Sequence, residues 1–216
     1  MRLSTAIRAR IRFVGCVVVF LFLLGWSGTA MGDSPTIVRV EEDWELVVLN
    51  PEPYTAAPQI TCVISPTGDI GSVHSTFEVN QQPLPAFVPG GLQIQLWCGD
   101  APLWDRRSHG FALLAQENEA IRWTQAMYLH DGYLLFEVTG GTSATWGSFG
   151  DGHLKVGCPT EIRNLNGYSP DVSVANSTVG YAGNRVQLLT LKAVRLVTSS
   201  GEIIQDTTAR VVHQEN

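Results

Sequence analysis

From residue 33 onward, apolar and polar side chains alternate with a period of two in short runs, and the runs are separated by Gly, Pro, Asn and Asp. Successive side chains of a strand point to opposite faces, so this pattern predicts half-buried β-strands. No apolar stripe of helical period persists beyond about three turns. The predicted strands are "TIVRVEE", "WELVVLN", "QITCVIS", "GSVHSTFEVN", "LQIQLWC", both halves of "IRWTQAMYLHDGYLLFEV", "HLKVGC", "STVGYAG", "NRVQLLTLKAVRLVTS" and "EIIQDTTARVVH". The segment "GFALLAQENE", residues 110–119, is also read as a strand. Prolines cannot donate to a central ladder, so "QQPLPAFVPGG" is read as a long connection crossing between sheets. The expected fold class is all-β: a two-sheet antiparallel sandwich of jelly-roll type with about ten or more strands.

Asp131-Gly132 is a dipeptide that accepts positive φ at both central positions of a two-residue hairpin turn. Such a turn pairs His130 with Tyr133 and fixes every other pair, out to Thr124 with Thr139. One face then carries Trp123, Met127, Leu129, Leu134, Phe136 and Val138, with Gln125 as its polar member. The other carries Arg122, Thr124, Tyr128, His130, Tyr133, Leu135, Glu137 and Thr139. In this register Glu137 lies opposite Ala126, which puts His130 and Arg122 each ~13 Å away along the strand at ~3.3 Å per residue. General acid–base chemistry needs groups within reach of a common atom, so the hairpin alone holds no catalytic pair.

The same parity sets His74, Thr76, Glu78 and Asn80 against Val73, Phe77 and Val79, and sets Gln93, Gln95 and Trp97 against Leu92, Ile94, Leu96 and Cys98. If these strands share a sheet with the hairpin, one surface gathers His74, Glu78, Gln93, Gln95, Trp97, Arg122, Tyr128, His130 and Glu137. Aromatic rings that stack on a sugar, beside amides and carboxylates that bond hydroxyls, make the composition of a carbohydrate groove. An antiparallel sheet also wets one face by default, and that reading explains everything except the large aromatics. The loop "DAPLWDRRSHG" adds Trp104, Asp105, Arg106, Arg107 and His109 in a polar segment. An exposed Trp beside arginines suits an anionic sugar or a protein partner. Were the chain a polysaccharide-active enzyme, Glu78 and Glu137 would be its carboxylate pair.

The N-terminus changes the electrostatic picture. Arg2, Arg8, Arg10 and Arg12 precede the apolar run "FVGCVVVFLFLL" and the small residues "GWSGTAMG", the layout of a secretory signal peptide over residues 1–32. The run is short against the ~20 residues of a spanning helix, so no stable membrane insertion is expected after cleavage. Cleavage before Asp33 leaves a single β-sandwich domain, residues 33–216, whose formal charge falls from −6 to −10 as the four arginines depart. An acidic, secreted or periplasmic chain repels phosphate backbones, so nucleic acid is excluded as an expected partner. Cys62, Cys98 and Cys158 remain, and at most one internal bridge can form among them. Their spacing suits no zinc site. "EEDWELVV" is read as a solvated strand start, "FGDGHLK" as a turn entering a strand, and Asn176-Ser177-Thr178 matches the glycosylation acceptor pattern.

The chain holds no Gly-x-Ser-x-Gly elbow, His-Glu-x-x-His, phosphate loop or EF-hand loop, and no metal or other cofactor is expected. The stretches "RWTQAMYLHDGYLLFEVTGG", "TWGSFGDGHLKV" and "NRVQLLTLKAVRLVTSSGEIIQ" resemble the concanavalin A-like jelly-roll class in strand order and length. The mature chain is also similar to secreted bacterial β-sandwich proteins without an assigned activity. That resemblance implies a fold and an address, and carries over no functional residue. The expectation is a non-catalytic binding or surface-assembly module for a carbohydrate or cell-envelope component. The alternatives are the enzyme above and a structural protein-interaction subunit.

Overall fold

In the computed structural model, residues 35–49, 58–79, 91–108, 118–180 and 183–215 are described, and they form two antiparallel sheets packed face to face. The strands are β1 (Ile37–Val48), β2 (Ile60–Ile64), β3 (Val73–Val79), β4 (Leu92–Cys98), β5 (Ala101–Arg107), β6 (Ala120–His130), β7 (Tyr133–Ser143), β8 (Gly147–Phe149), β9 (Lys155–Pro159), β10 (Thr178–Val179), β11 (Val186–Thr198), β12 (Ile203–Asp206) and β13 (Arg210–Gln214). One short helix, α1 (Pro170–Asn176), precedes β10. The eight-stranded sheet runs β12-β11-β1-β6-β7-β8, with β13 also on β11 and β9 also on β7. The five-stranded sheet runs β10-β2-β3-β4-β5. The chain is therefore an all-β two-sheet sandwich, and it changes sheet after β1, β5, β9 and β10.

Alternation builds the core. Val40, Trp44, Leu46 and Val48 of β1 face Phe77, Ile94 and Leu96 across the gap, with Trp123, Met127, Phe136 and Val138 beside them. Trp44 stacks on Trp123 at 6.3 Å, and Phe77 reaches the same Trp123 ring at 5.4 Å, so an aromatic bridge joins the sheets. The β6–β7 hairpin has the expected register, His130↔Tyr133 through Thr124↔Thr139, with a bulge before Arg122. Asp131 and Gly132 both take positive φ, 48° and 79°, as a turn matched to the strand twist requires.

Several elements depart from the sequence reading. The two strands expected before Asn50 are one, because Glu42 takes an inward position and the alternation runs without a break from Val40 to Val48. "DAPLWDRR" is the edge strand β5 rather than a loop. An edge strand tolerates Pro102 and needs no buried face, so it lacks the apolar rhythm. The proline-rich connection before β4 does not cross between sheets, since β3 and β4 are paired neighbours. The residues of that connection, most of residues 110–119 and the N-terminal segment lie outside those described. "EIIQDTTARVVH" divides into β12 and β13, which pair successive stretches of β11. Helix α1 was not anticipated, although Ser169-Pro170-Asp171 is a start signal: an extended N-cap, Pro in the first turn and an acid beside it. The "GDGH" turn before β9 is as expected, with His153 N–H donating to the Gly150 carbonyl at 3.0 Å.

Candidate functional site

The polar residues singled out by parity fall on two different surfaces. His74, Glu78, Gln93, Gln95, Trp97 and Trp104 belong to the five-stranded sheet; Arg122, Tyr128, His130 and Glu137 belong to the eight-stranded one. The condition that they share a sheet is not met.

On the eight-stranded sheet, the outward side chains form a lattice of opposite charges across β11, β1, β6, β7 and β9. Arg39 meets Glu41 at 2.7 Å and Glu137 at 3.2 Å; Arg195 meets Glu41 at 2.8 Å and also binds Asp43; Arg122 meets Glu45 at 2.5 Å. Lys192 and Lys155 complete it against Glu45 and Glu137. Tyr128 donates to Glu137 at 3.0 Å, and its ring lies under Arg39 at 4.7 Å and Lys155 at 5.2 Å. Burial opposes ionisation of Glu41, but hydrogen bonds from Arg39 and Arg195 prevail and lower its pKa. Bonding to Asp43, against some burial, raises the already high pKa of Arg195. His130 stands apart at the hairpin tip, exposed and 3.3 Å from Asp131.

Glu78 and Glu137 face away from each other on opposite sides of the sandwich. Packed sheets are ~10 Å apart, so no single atom lies within reach of both carboxyls. Glu78 is buried, accepts from Thr61 at 2.7 Å, and has its pKa raised by that burial.

The five-stranded sheet presents different chemistry. Trp97 donates its indole N–H to Gln95 at 2.9 Å, Gln95 donates to Gln93 at 3.2 Å, and Gln93 donates to Asp105 at 2.8 Å. This chain runs along β4 and crosses to the edge strand at Asp105, and His74 stacks on the Trp97 ring at 6.5 Å. Over it lies a cleft of about 300 Å³ lined by Gln93, Gln95, Trp97, Pro102, Leu103, Trp104 and Asp105. A bulge at Leu103, between the Leu96–Trp104 and Trp97–Pro102 pairs, turns β5 so that Trp104 stands at the rim, 61 % exposed.

Trp104 also forms one wall of a second cleft, about 310 Å³, with Arg106, Leu135, Lys155, Val156 and Gly157. Gly157 keeps its floor low, since a Cβ there would sit 2.5 Å from the Leu135 side chain. Arg106 donates to the Asp105 carbonyl at 2.8 Å, and among the described residues no acid forms an ion pair with it. Leu135 and Lys155 were not read as site residues. They lie on β7 and β9 of the other sheet, far from Trp104 in sequence, so only the topology joins them.

Glu42 was misread as part of a solvated strand start. It points inward, fully buried, and accepts from the Trp44 indole at 3.0 Å and the Tyr168 hydroxyl at 2.8 Å. Burial raises its carboxyl to about 7. The strict alternation of β1 assigns it to the inward face once Trp44 and Leu46 are placed there.

Among the described residues no group of three or more His, Cys, Asp or Glu is placed to hold a metal ion. The fold and site together define a two-sheet β-sandwich with an aromatic, amide-lined cleft at a sheet edge. Comparison with protein-family models, with curated proteins and with solved structures returns no match.

Proposed function

We propose that the protein is a non-catalytic binding module for a carbohydrate or cell-envelope glycan, exported to the periplasm or the cell exterior. The observation that carries this reading is Trp104, a large indole held in the open between two clefts. One cleft offers amide and carboxylate groups from Gln93, Gln95 and Asp105, and the other offers the cations of Arg106 and Lys155. A sugar ring stacks on such an indole while planar polar groups fix its hydroxyls, with little reorganisation where those groups already bond one another. The layout of residues 1–32 supports the export part of the reading.

Binding to an array of cell-envelope and plant polysaccharides, followed by titration of any glycan that binds, tests it. Trp104→Ala is expected to weaken affinity at least about tenfold, or 1.4 kcal/mol. Binding that is unchanged in Trp104→Ala and in Trp97→Ala overturns the cleft as the site.

A second reading has its own observation. Ile203, Ile204 and Val211 are exposed on β12 and β13, where β12 ends the eight-stranded sheet. An apolar edge strand is a template for pairing with another chain, which suits a structural protein-interaction subunit. Lys substitution at Ile203 and Val211 would abolish self-association or partner capture under that reading and leave glycan binding intact.

A further inference from the structure

The fold separates the three cysteines of the sandwich. Cys62 lies on the inward face of β2 between Ile60 and Ile64 and is fully buried. Burial, followed by the neighbouring carboxyls of Glu42 and Glu78, pushes its thiol well up, which makes it unreactive.

Cys98 and Cys158 are placed differently. Cys98 ends β4, just before the turn at Gly99 and Asp100, and shares the inward parity of Ile94 and Leu96. Cys158 shares the inward parity of Val156 in β9 and packs against the core. These strands belong to different sheets, yet some of their Cα atoms come within 8 Å of each other, closer than the ~10 Å that separates packed sheets. The edge cleft shows why. β5 register puts Trp104 beside Leu96 and Arg106 beside Ile94, and both side chains line one cavity with residues 155–157 of β9. Burial first, and then charge on Cys98, raises the Cys158 thiol, in keeping with this approach of β4 to β9. Cys98 is exposed and Cys158 half-buried.

We propose that Cys98 and Cys158 form a disulfide that ties β4 to β9 beside the Trp104 clefts, leaving Cys62 as a buried thiol. The oxidant is a disulfide donor, small or protein-borne. The accessible Cys98 thiolate attacks one donor sulfur, forming a mixed disulfide and releasing one donor thiol. The Cys158 thiolate then attacks the Cys98 sulfur, breaking the mixed bond and releasing the second donor thiol. Two protein thiols are oxidised, one donor disulfide is reduced, and two protons pass from the cysteines to the departing thiolates. The closed loop spans about sixty residues, long enough for the bridge to restrict the unfolded chain substantially.

The full chain, reduced and then exposed to oxidised glutathione, tests this by alkylation and peptide mapping. The expected products are a linked Cys98–Cys158 peptide and a Cys62 that alkylates only after unfolding. Cys158→Ser is expected to trap glutathione on Cys98. The melting temperature of the wild-type chain should rise by several degrees on oxidation, and Cys98→Ser should melt at the same temperature with and without oxidant. A linked peptide containing Cys62, or separate glutathione adducts on Cys98 and Cys158 in the wild-type chain, overturns the proposal. Because the readout is covalent, it stands or falls independently of glycan binding.

Discussion

The outward faces of the two sheets are both polar and aromatic but differ in how their groups are partnered. On the eight-stranded sheet Arg39, Arg122, Lys155, Lys192 and Arg195 meet Glu41, Asp43, Glu45 and Glu137, and every one of these charges has an opposite partner on a neighbouring or nearby strand. Of the aromatics there, Tyr128 is covered by two cations, and Tyr133 stands exposed beside the hairpin turn. On the five-stranded sheet the outward residues of β4 are two amides and an indole, and the edge strand adds a second indole that stands in the open. A ligand on the first face must break ion pairs before it gains a bond. On the second it meets dipoles already aligned and a bare aromatic surface, so desolvation costs less. Aromatic and polar residues at one parity therefore do not distinguish a groove from a closed lattice; the charges one strand over do.

The largest expected effect tests the inward side of the lattice strand. Glu41, facing out, has a pKa lowered by Arg39 and Arg195 against the opposing effect of burial, whereas Glu42, facing in, is raised by burial from 4.5 to about 7. Between those two values the folded chain keeps a Glu42 proton that the unfolded chain has released, so stability falls as pH rises through the window. The group costs about 3 kcal/mol above pH 7, at 1.36 kcal/mol per unit. Ser173, Tyr168, Trp44, Cys62 and Arg210 are polar or charged groups around it. Urea unfolding from pH 5 to 8 should show Glu42→Gln gaining stability relative to wild type as pH rises. Glu78 shifts in the same direction in both proteins and cancels in the difference. Parallel curves for the two proteins would mean that Glu42 is ionised in the fold.

The next effect separates the faces directly. Trp104→Ala should reduce glycan affinity at least about tenfold while changing stability by less than about 0.5 kcal/mol, because the indole is mostly exposed. Tyr128→Ala should do the reverse: unchanged affinity, with a stability loss of about 1 kcal/mol from the cation–π and Glu137 contacts. Titration calorimetry and urea melts on the two variants decide it, and a glycan that needs Tyr128 would merge the faces into one site.

Much of this division could be read in the sequence, and the part that could not has a physical cause. The hairpin register followed from Asp131-Gly132 alone, since a two-residue turn fixes all later pairs. Parity then sorted Gln93, Gln95 and Trp97 from Leu92, Ile94 and Leu96. Parity says nothing about which sheet a strand joins, and this is why His74 and Glu78 were grouped with Arg122 and Glu137. The clefts depend on β5, whose polar edge sequence looks like a loop, and on Lys155 and Gly157, which reach Trp104 only through pairing of β9 with β7. Glu42 follows from parity as well: in a strand buried on one face, the residue two before an inward Trp is inward, charged or not.

A smaller effect concerns the lattice itself. Arg195→Met keeps an apolar stem over the sheet and removes the charge that holds Glu41 and Asp43. Their mutual repulsion across β1 should then cost about 1 kcal/mol at low salt and less at high salt. Because the Glu41 carboxyl is held below its ordinary value in the fold, that contribution is present above pH 4.5 and is lost as pH falls through the lowered value. Denaturant melts of wild type and Arg195→Met should therefore converge in acid and in concentrated salt. Curves that stay equally far apart at low and high salt would mean that Arg195 acts by packing, and the face would then be a covered apolar surface rather than a charge lattice.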